Sequence, residues 1–330
     1  MNLPAALFVT RWLVRDTFRQ ALAARTFWLM LSVSVLCIVF CLSIHIEADR
    51  PLRPPGEIEL YGGDGRPLTG PNPHPGQVTL GFGAVRLALF RDAEAEVRMV
   101  QTLLAFWVAG TAGMLVLLVW TAGFLPAFLE PGSAAVMLTK PVPRWLLLAG
   151  KSLGVLTFVA FQEIVFFGGT WLALGVRTGV WSPHYLLCIP LLLLSFAIVY
   201  SFSVLMAVCT RSTVACIFGS ILFWLICFGM NYGRHTVVAM PYLEADRAPF
   251  SSSIQGVTEA AYWILPKPAD QVMLLDQALQ AGDHFDALPR AFRVVLEHDA
   301  FHADLSLLTS LLFSVGLLAV AARQLVTTDY

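Results

Sequence analysis

Apolar residues run along this chain in blocks too long for the core of a water-soluble domain. Six blocks come close to the roughly 20 residues that a helix needs to cross hydrocarbon. They cover residues 27–46, 102–125, 145–174, 184–208, 213–231 and 305–322. The third is the longest and has room to tilt or to begin in the headgroup layer. Only Cys209-Thr210-Arg211-Ser212 joins the fourth block to the fifth, which predicts a tight helical hairpin. Ahead of the first block, residues 7–24 repeat with helical period. Arg11, Arg15 and Arg19 fall on one stripe, and Leu7, Val14, Phe18 and Leu22 fall on the adjacent one. Basic and apolar stripes that abut suit a helix lying in the headgroup layer better than one solvated all round.

Polar residues concentrate in two connections, 47–101 and 232–304. In the first, Pro51, Pro54 and Pro55 precede two alternating runs, Glu57-Ile58-Glu59-Leu60-Tyr61 and Gln77-Val78-Thr79-Leu80-Gly81-Phe82. With the turn signal Gly62-Gly63-Asp64-Gly65 between them, these predict a small β-ribbon. Asp92 then predicts the cap of a helix running through Glu94, Glu96 and Arg98 toward the second span. In the second connection, Pro266 and Pro268 separate predicted helices over 253–263, 269–280 and 288–301.

Composition agrees with a membrane chain. It is 57% hydrophobic and 13% charged, against about 25% charge in an average soluble domain. The net charge of −1 gives no electrostatic basis for binding nucleic acid. Cys37, Cys41, Cys188, Cys209, Cys216 and Cys227 lie in or beside apolar blocks with no C-x-x-C spacing, so neither a disulfide framework nor a zinc cluster is predicted. The polar start extends to Arg25 and no A-x-A site follows the first block, which is therefore expected to be an uncleaved anchor. With the N-terminus inside, the inner connections carry nine basic residues and three acids, so both termini are expected in the cytoplasm of a multi-pass inner-membrane protein.

Four features carry candidate chemistry. The linker over 126–144 has Glu130 before Pro131, a short helical stretch from Ala134 to Leu138, and a stop at Lys140-Pro141-Val142-Pro143-Arg144. Charged ends around a small apolar middle suit a groove on a soluble partner. Glu163 lies within the third block, where an unpaired carboxylate costs roughly 3 kcal/mol or more. It reads either as a group on a substrate pathway or as a buried carboxyl satisfied by Gln162, a serine or a backbone group. His298 and His302 are spaced as neighbouring turns of a helix, beside Glu297, Asp299 and Asp304 and in one segment with His284 and Asp286. That is a candidate surface metal site, but without the glutamate of H-E-x-x-H. Gly150-Lys151-Ser152 ends like a phosphate-binding loop, but Trp145 occupies the first glycine position.

The linker and its flanks resemble the permease subunits of type 2 ABC transporters, most closely the branch grouped with copper-enzyme maturation permeases. The resemblance rests on Glu130, Gly132-Ser133, Leu138, Lys140-Pro141, Arg144 and Gly150-Lys151, and in layout covers the whole chain. It implies an all-α integral membrane protein with six transmembrane helices and an N-terminal interfacial elbow helix carrying Arg11, Arg15 and Arg19 (1–26), to which the alternating runs add the small outer β-ribbon. It also implies an outer segment (47–101), a coupling linker (126–144), a second outer segment (232–304) and a cytoplasmic tail (323–330). Glu130, Gly132, Leu138, Lys140, Pro141, Arg144 and Lys151 would then couple to a separate soluble ABC ATPase. That subunit would bind ATP and Mg, this chain would bind no cofactor, and a second permease copy would complete the pathway. Export is implied by the resemblance alone, and no catalytic residue is expected. The rival readings are an ion-coupled secondary transporter, and a membrane scaffold or enzyme using the outer His/Asp cluster.

Overall fold

The computed structural model describes residues 3–47, 77–88, 93–130, 142–244, 250–283 and 288–327. Six helices in it are long and apolar enough to cross a membrane: Arg25–Ser43, Ala93–Leu129, Arg144–Thr178, Pro183–Thr210, Thr213–Leu243 and Ala303–Thr327. They are the first to sixth spans below. Successive spans alternate in direction, so the N-terminal helix Leu3–Ala23, the end of the second span, the start of the third, the fourth-to-fifth turn and the end of the sixth span share one end of the bundle. The opposite end carries a three-stranded sheet and the helices between the fifth and sixth spans.

The N-terminal helix packs side by side with the start of the third span. Its buried stripe is Leu13, Thr17 and Ala21, not the Leu7–Leu22 stripe. Leu7, Phe8, Trp12 and Leu22 are exposed together with Arg11, Arg15 and Arg19. Two glycines permit the approach. A Cβ at Gly150 would lie 2.5 Å from Leu13 Cδ1, and one at Gly154 would lie 2.6 Å from Thr17 Oγ1. Only a small-xxx-small face allows two backbones this close. At Ala24 the chain turns through extended backbone (φ −79°, ψ 134°) and the first span continues along the third. Phe18 and Phe27 both pack edge-on to Phe158, and Ile38 fills the notch at Gly169.

The first span stops at Ser43, earlier than the apolar block suggests. The Ser43 hydroxyl donates to the Phe40 carbonyl and accepts from the Gly81 amide, which diverts the chain into a strand. Strands β1 (His45–Glu47), β2 (Gln77–Leu80) and β3 (Val85–Ala88) pair antiparallel in that order, with His45 opposite Thr79 and Val78 opposite Leu87. The run 57–61 and its turn, and Asp92, lie outside the described residues.

The second span begins nine residues before its apolar block. Its charged first turns are held by Arg98, which donates to Glu94 and to the Leu279 carbonyl. From Leu104 to Gly113 the backbone widens into a π-helix. A Cβ at Gly110 would lie 2.8 Å from the Ala105 carbonyl oxygen, and one at Gly113 would lie 2.9 Å from that of Val108. These glycines therefore accommodate their own wide coil. Such π segments are rare in helices and recur at functional sites.

The third span ends at Gly179, whose φ of +73° supplies a left-handed cap donating to the Gly175 carbonyl. The fourth-to-fifth turn is as short as its sequence predicts. Arg211 takes the left-handed conformation (φ 54°), and Ser212 caps the fifth span by accepting from the Ala215 amide. The fifth span runs on to Leu243, beyond its apolar block, because Asn231, Arg234 and His235 turn inward against the helices Ser252–Ile264 and Arg290–Glu297. The boundaries of the other interspan helices shift by one or two residues except at the last, which ends at Glu297 rather than at 301.

The packing predicts opposite outcomes for two glycines in one helix. Gly154→Ala should lower stability by about 1–3 kcal/mol through overpacking. Gly168 has open space at its Cβ position, so Gly168→Ala should gain up to about 1 kcal/mol from helix propensity. Unfolding of both variants in mixed micelles measures the difference.

Candidate functional site

Three groups of buried polar side chains stand out, one at each end of the bundle and one at mid-depth. The first is centred on Lys151, which is fully buried in the third span. Its Nζ donates to Asp16 Oδ2 at 3.2 Å and to Gln20 Oε1 at 2.8 Å, both on the N-terminal helix. It also sits over the Phe128 ring at 5.7 Å. Phe128 is two residues before Glu130, where the linker leaves the second span, and Arg144, where the third span begins, is two turns before Lys151. Arg144 donates to the carbonyls of Leu325 and Val326 at the end of the sixth span. A cation at a helix C-terminus satisfies carbonyls that have no partner within the helix. Both roots of the linker are therefore fastened, one beside Lys151 and one to the sixth span. Glu130 is exposed. Gly132, Leu138, Lys140 and Pro141 lie outside the described residues.

The second group lies halfway along the third span. Glu163 is 7% exposed and Gln162 is 4% exposed. Gln162 Nε2 donates to Ser34 Oγ across to the first span, and Ser34 donates in turn to the Met30 carbonyl. Glu163 Oε2 has no hydrogen-bond partner, and neither has Gln162 Oε1. Both residues line a cavity of about 220 Å³ bounded by the first, second and third spans. Its other wall is the π segment and the turn after it, at Val108, Ala109, Ala112, Gly113, Val116 and Leu117. The Glu163 carboxyl is thus not spent on Gln162 or a serine: Gln162 takes the serine, and Glu163 is left beside the cavity.

The third group joins the fifth and sixth spans to the helices between them. Asp270 is fully buried. Its Oδ1 lies 2.6 Å from His235 Nε2, and its Oδ2 accepts from Tyr262 and Ser306. Its amide donates to Asn231 Oδ1. Arg234 donates to Glu259 at 3.1 Å and stacks over the Tyr262 ring at 4.4 Å. Lys267 donates to Thr309 and faces the Tyr262 and Trp263 rings. Burial works against the charge on Glu259, but hydrogen bonds from Arg234 and Trp263 outweigh it and hold the carboxyl below its usual value. Burial pushes Lys267 down to about 8, against the raising effect of Asp270.

This third group was not singled out in the sequence, although Asn231, Arg234 and His235 recur at i, i+3 and i+4 where the fifth apolar block gives out. Its partners arrive from 25 to 75 residues downstream, which no local pattern reveals. The histidine pair fares differently. The helix ends at Glu297 and Asp299 takes φ 52°, so His298 and His302 do not share a helical face. His298 instead stacks on Tyr242 with ring centroids 3.9 Å apart. Among the described residues no group of three or more His, Cys, Asp or Glu side chains comes together to hold a metal, and His284 and Asp286 lie outside them.

No family model matches the chain, and no curated protein matches it.

The state of Lys267 sets a pH dependence. A lysine whose folded pKa lies below its unfolded value binds fewer protons when folded, so stability rises with pH between the two values. With about 8 in the fold against 10.5 unfolded, the charged form penalises the fold fully below pH 8. That penalty, on the order of 3 kcal/mol, fades as pH climbs toward 10.5. Relative to Lys267→Met, the wild type should therefore gain stability between pH 7 and pH 10, as read by denaturant unfolding of both proteins.

Proposed function

We propose that this chain is the membrane subunit of a transporter powered by a separate soluble ABC ATPase, with the 130–144 linker as the ATPase's grip. The supporting observation is the fastening of both linker roots. Phe128 and Lys151 join the second span, third span and N-terminal helix, while Arg144 holds the sixth. A push on a loop anchored in this way is passed to four helices at once, whereas a loose loop would absorb it. The resemblance of Glu130, Gly132, Leu138, Lys140, Pro141, Arg144 and Lys151 to the permease linker supplies the identity of the partner.

In this reading the linker end faces the cytoplasm, in keeping with its basic residues. The N-terminal helix is the elbow, with exposed Arg11, Arg15 and Arg19 directed to headgroups and exposed Leu7, Phe8 and Trp12 to acyl chains. The sheet and the interspan helices are the outer segments. The chain supplies the pathway, and a second copy supplies its other half. ATP and Mg belong to the partner subunit, and hydrolysis takes place there. ATP-driven closure of two ATPases would draw the linkers together and tilt the helices fastened to them. A secondary transporter needs several intramembrane charges to couple an ion. Among the described residues Glu163 is a lone carboxylate at mid-span.

Co-expression with a candidate soluble ABC ATPase subunit from the same genome tests the proposal. Wild type should co-purify with it. Glu130→Lys and Lys140→Glu should each lower the bound ATPase by about tenfold, the effect of losing a charge-assisted contact of ~1.4 kcal/mol or more. His298→Ala, at the far end, should leave it unchanged. Equal recovery of ATPase with all three variants contradicts the assignment.

A further inference from the structure

We propose that the mid-depth cavity beside Glu163 is a binding site for the head of a lipophilic primary or secondary amine entering from the bilayer. The site does not depend on the transport reading, since binding there needs no ATPase.

Three observations carry this. The first is place. Glu163 lies near the middle of the third span, and the rim residues Leu29, Val33 and Val116 are exposed on the sides of their helices. The cavity is thus open on the sides of the first and second spans, level with the middle of the third. The second is size and lining. A volume of about 220 Å³ exceeds the roughly 150 Å³ of an engineered cavity that takes benzene. It holds a head and the first few carbons of an amphiphile, with the rest trailing between the first and second spans. Met30, Phe166, Phe167 and Leu117 supply the apolar wall.

The third is hydrogen-bond accounting. Ser34 donates to the Met30 carbonyl, and Gln162 Nε2 donates to Ser34. Among the polar groups of the wall residues, Glu163 Oε2 and Gln162 Oε1 are buried without a partner, and both are oxygens that can accept. The missing group is therefore a donor. An unpartnered acceptor on each of two consecutive wall residues, one of them able to carry negative charge, calls for a nitrogen with at least two N–H groups. An ammonium supplies those and the countercharge together. A carboxylate or phosphate head would meet like charge, and a quaternary ammonium has no N–H to give. The π segment contributes the space, because its small residues Ala109, Ala112 and Gly113 line the wall formed by the second span.

The test uses the full chain in phosphatidylcholine nanodiscs with tritiated dodecylamine as probe, and empty nanodiscs to subtract partitioning. The expected result is saturable binding to wild type, weakened about tenfold or more in Glu163→Gln by loss of the charge-assisted contact. Ala112→Phe, which fills the cavity from the opposite wall and leaves Glu163 in place, should remove saturable binding while melting like wild type. Unlabelled dodecanol and dodecyltrimethylammonium should compete at least about tenfold less well than unlabelled dodecylamine. Uptake no greater than in empty nanodiscs overturns the proposal. So does equal affinity in both folded variants, or equal competition by the alcohol. Should Glu163→Gln fail to fold, Ala112→Phe and the competition series decide the matter alone.

Discussion

The architecture depends on one buried cation. Lys151 has no exposed surface, and a buried charge stripped of its partner costs about 3–5 kcal/mol. It can be tolerated there only with Asp16 and Gln20 against it. Those residues arrive only if the N-terminal helix lies close along the third span, and that closeness requires Gly150 and Gly154. From this contact the register of the first span follows. Phe27 meets Phe158, Ser34 meets Gln162 and Ile38 meets Gly169. Gln162 is then committed to the first span, and its neighbour Glu163 is left beside the second. The fastening of the linker end and the cavity at mid-depth are thus two consequences of a single constraint.

Asp270 and Glu163 are buried in contrasting ways. Both are carboxyls held out of water. Asp270 has His235 on one oxygen, Tyr262 and Ser306 on the other, and Asn231 on its amide. A carboxyl partnered on both oxygens ties together the elements that supply its partners, here the fifth span, the sixth and the helices between them. Glu163 has an oxygen with no partner and a cavity beside it. A polar group left unsatisfied at this depth is costly, and a site that awaits a ligand is one setting in which that cost is offset.

Much of this was legible in the sequence, for reasons that can be located. Helices that must hide their backbone from lipid are written as long apolar blocks, so all six spans could be read. The short hairpin at Arg211 and Ser212 followed from the chain length between two of them. What could not be read is what depends on partners far along the chain. Gly150-Lys151-Ser152 stood out as a false phosphate loop, whereas its glycine is a docking face for Leu13 and its lysine a clamp on Asp16. Gly110 and Gly113 serve the wide turns of their own helix, which no local pattern announces. The spacing of His298 and His302 presumed a helix that ends before both of them. The Arg234–His235–Asp270 network was hidden because its members are polar residues at span ends, where polarity is unremarkable until the partners converge.

A double-mutant cycle between Asp16 and Lys151 tests the central constraint most directly. Asp16→Asn and Lys151→Met are made singly and together, and unfolding free energies are measured in mixed micelles. The account predicts strong coupling: the double variant should be more stable than the sum of the two single losses allows, by about 1–3 kcal/mol, because Met leaves no buried charge unpaired. Additive losses would mean that the N-terminal helix and the third span are held together without this contact, and the account of the linker end and of the cavity register would fall with it.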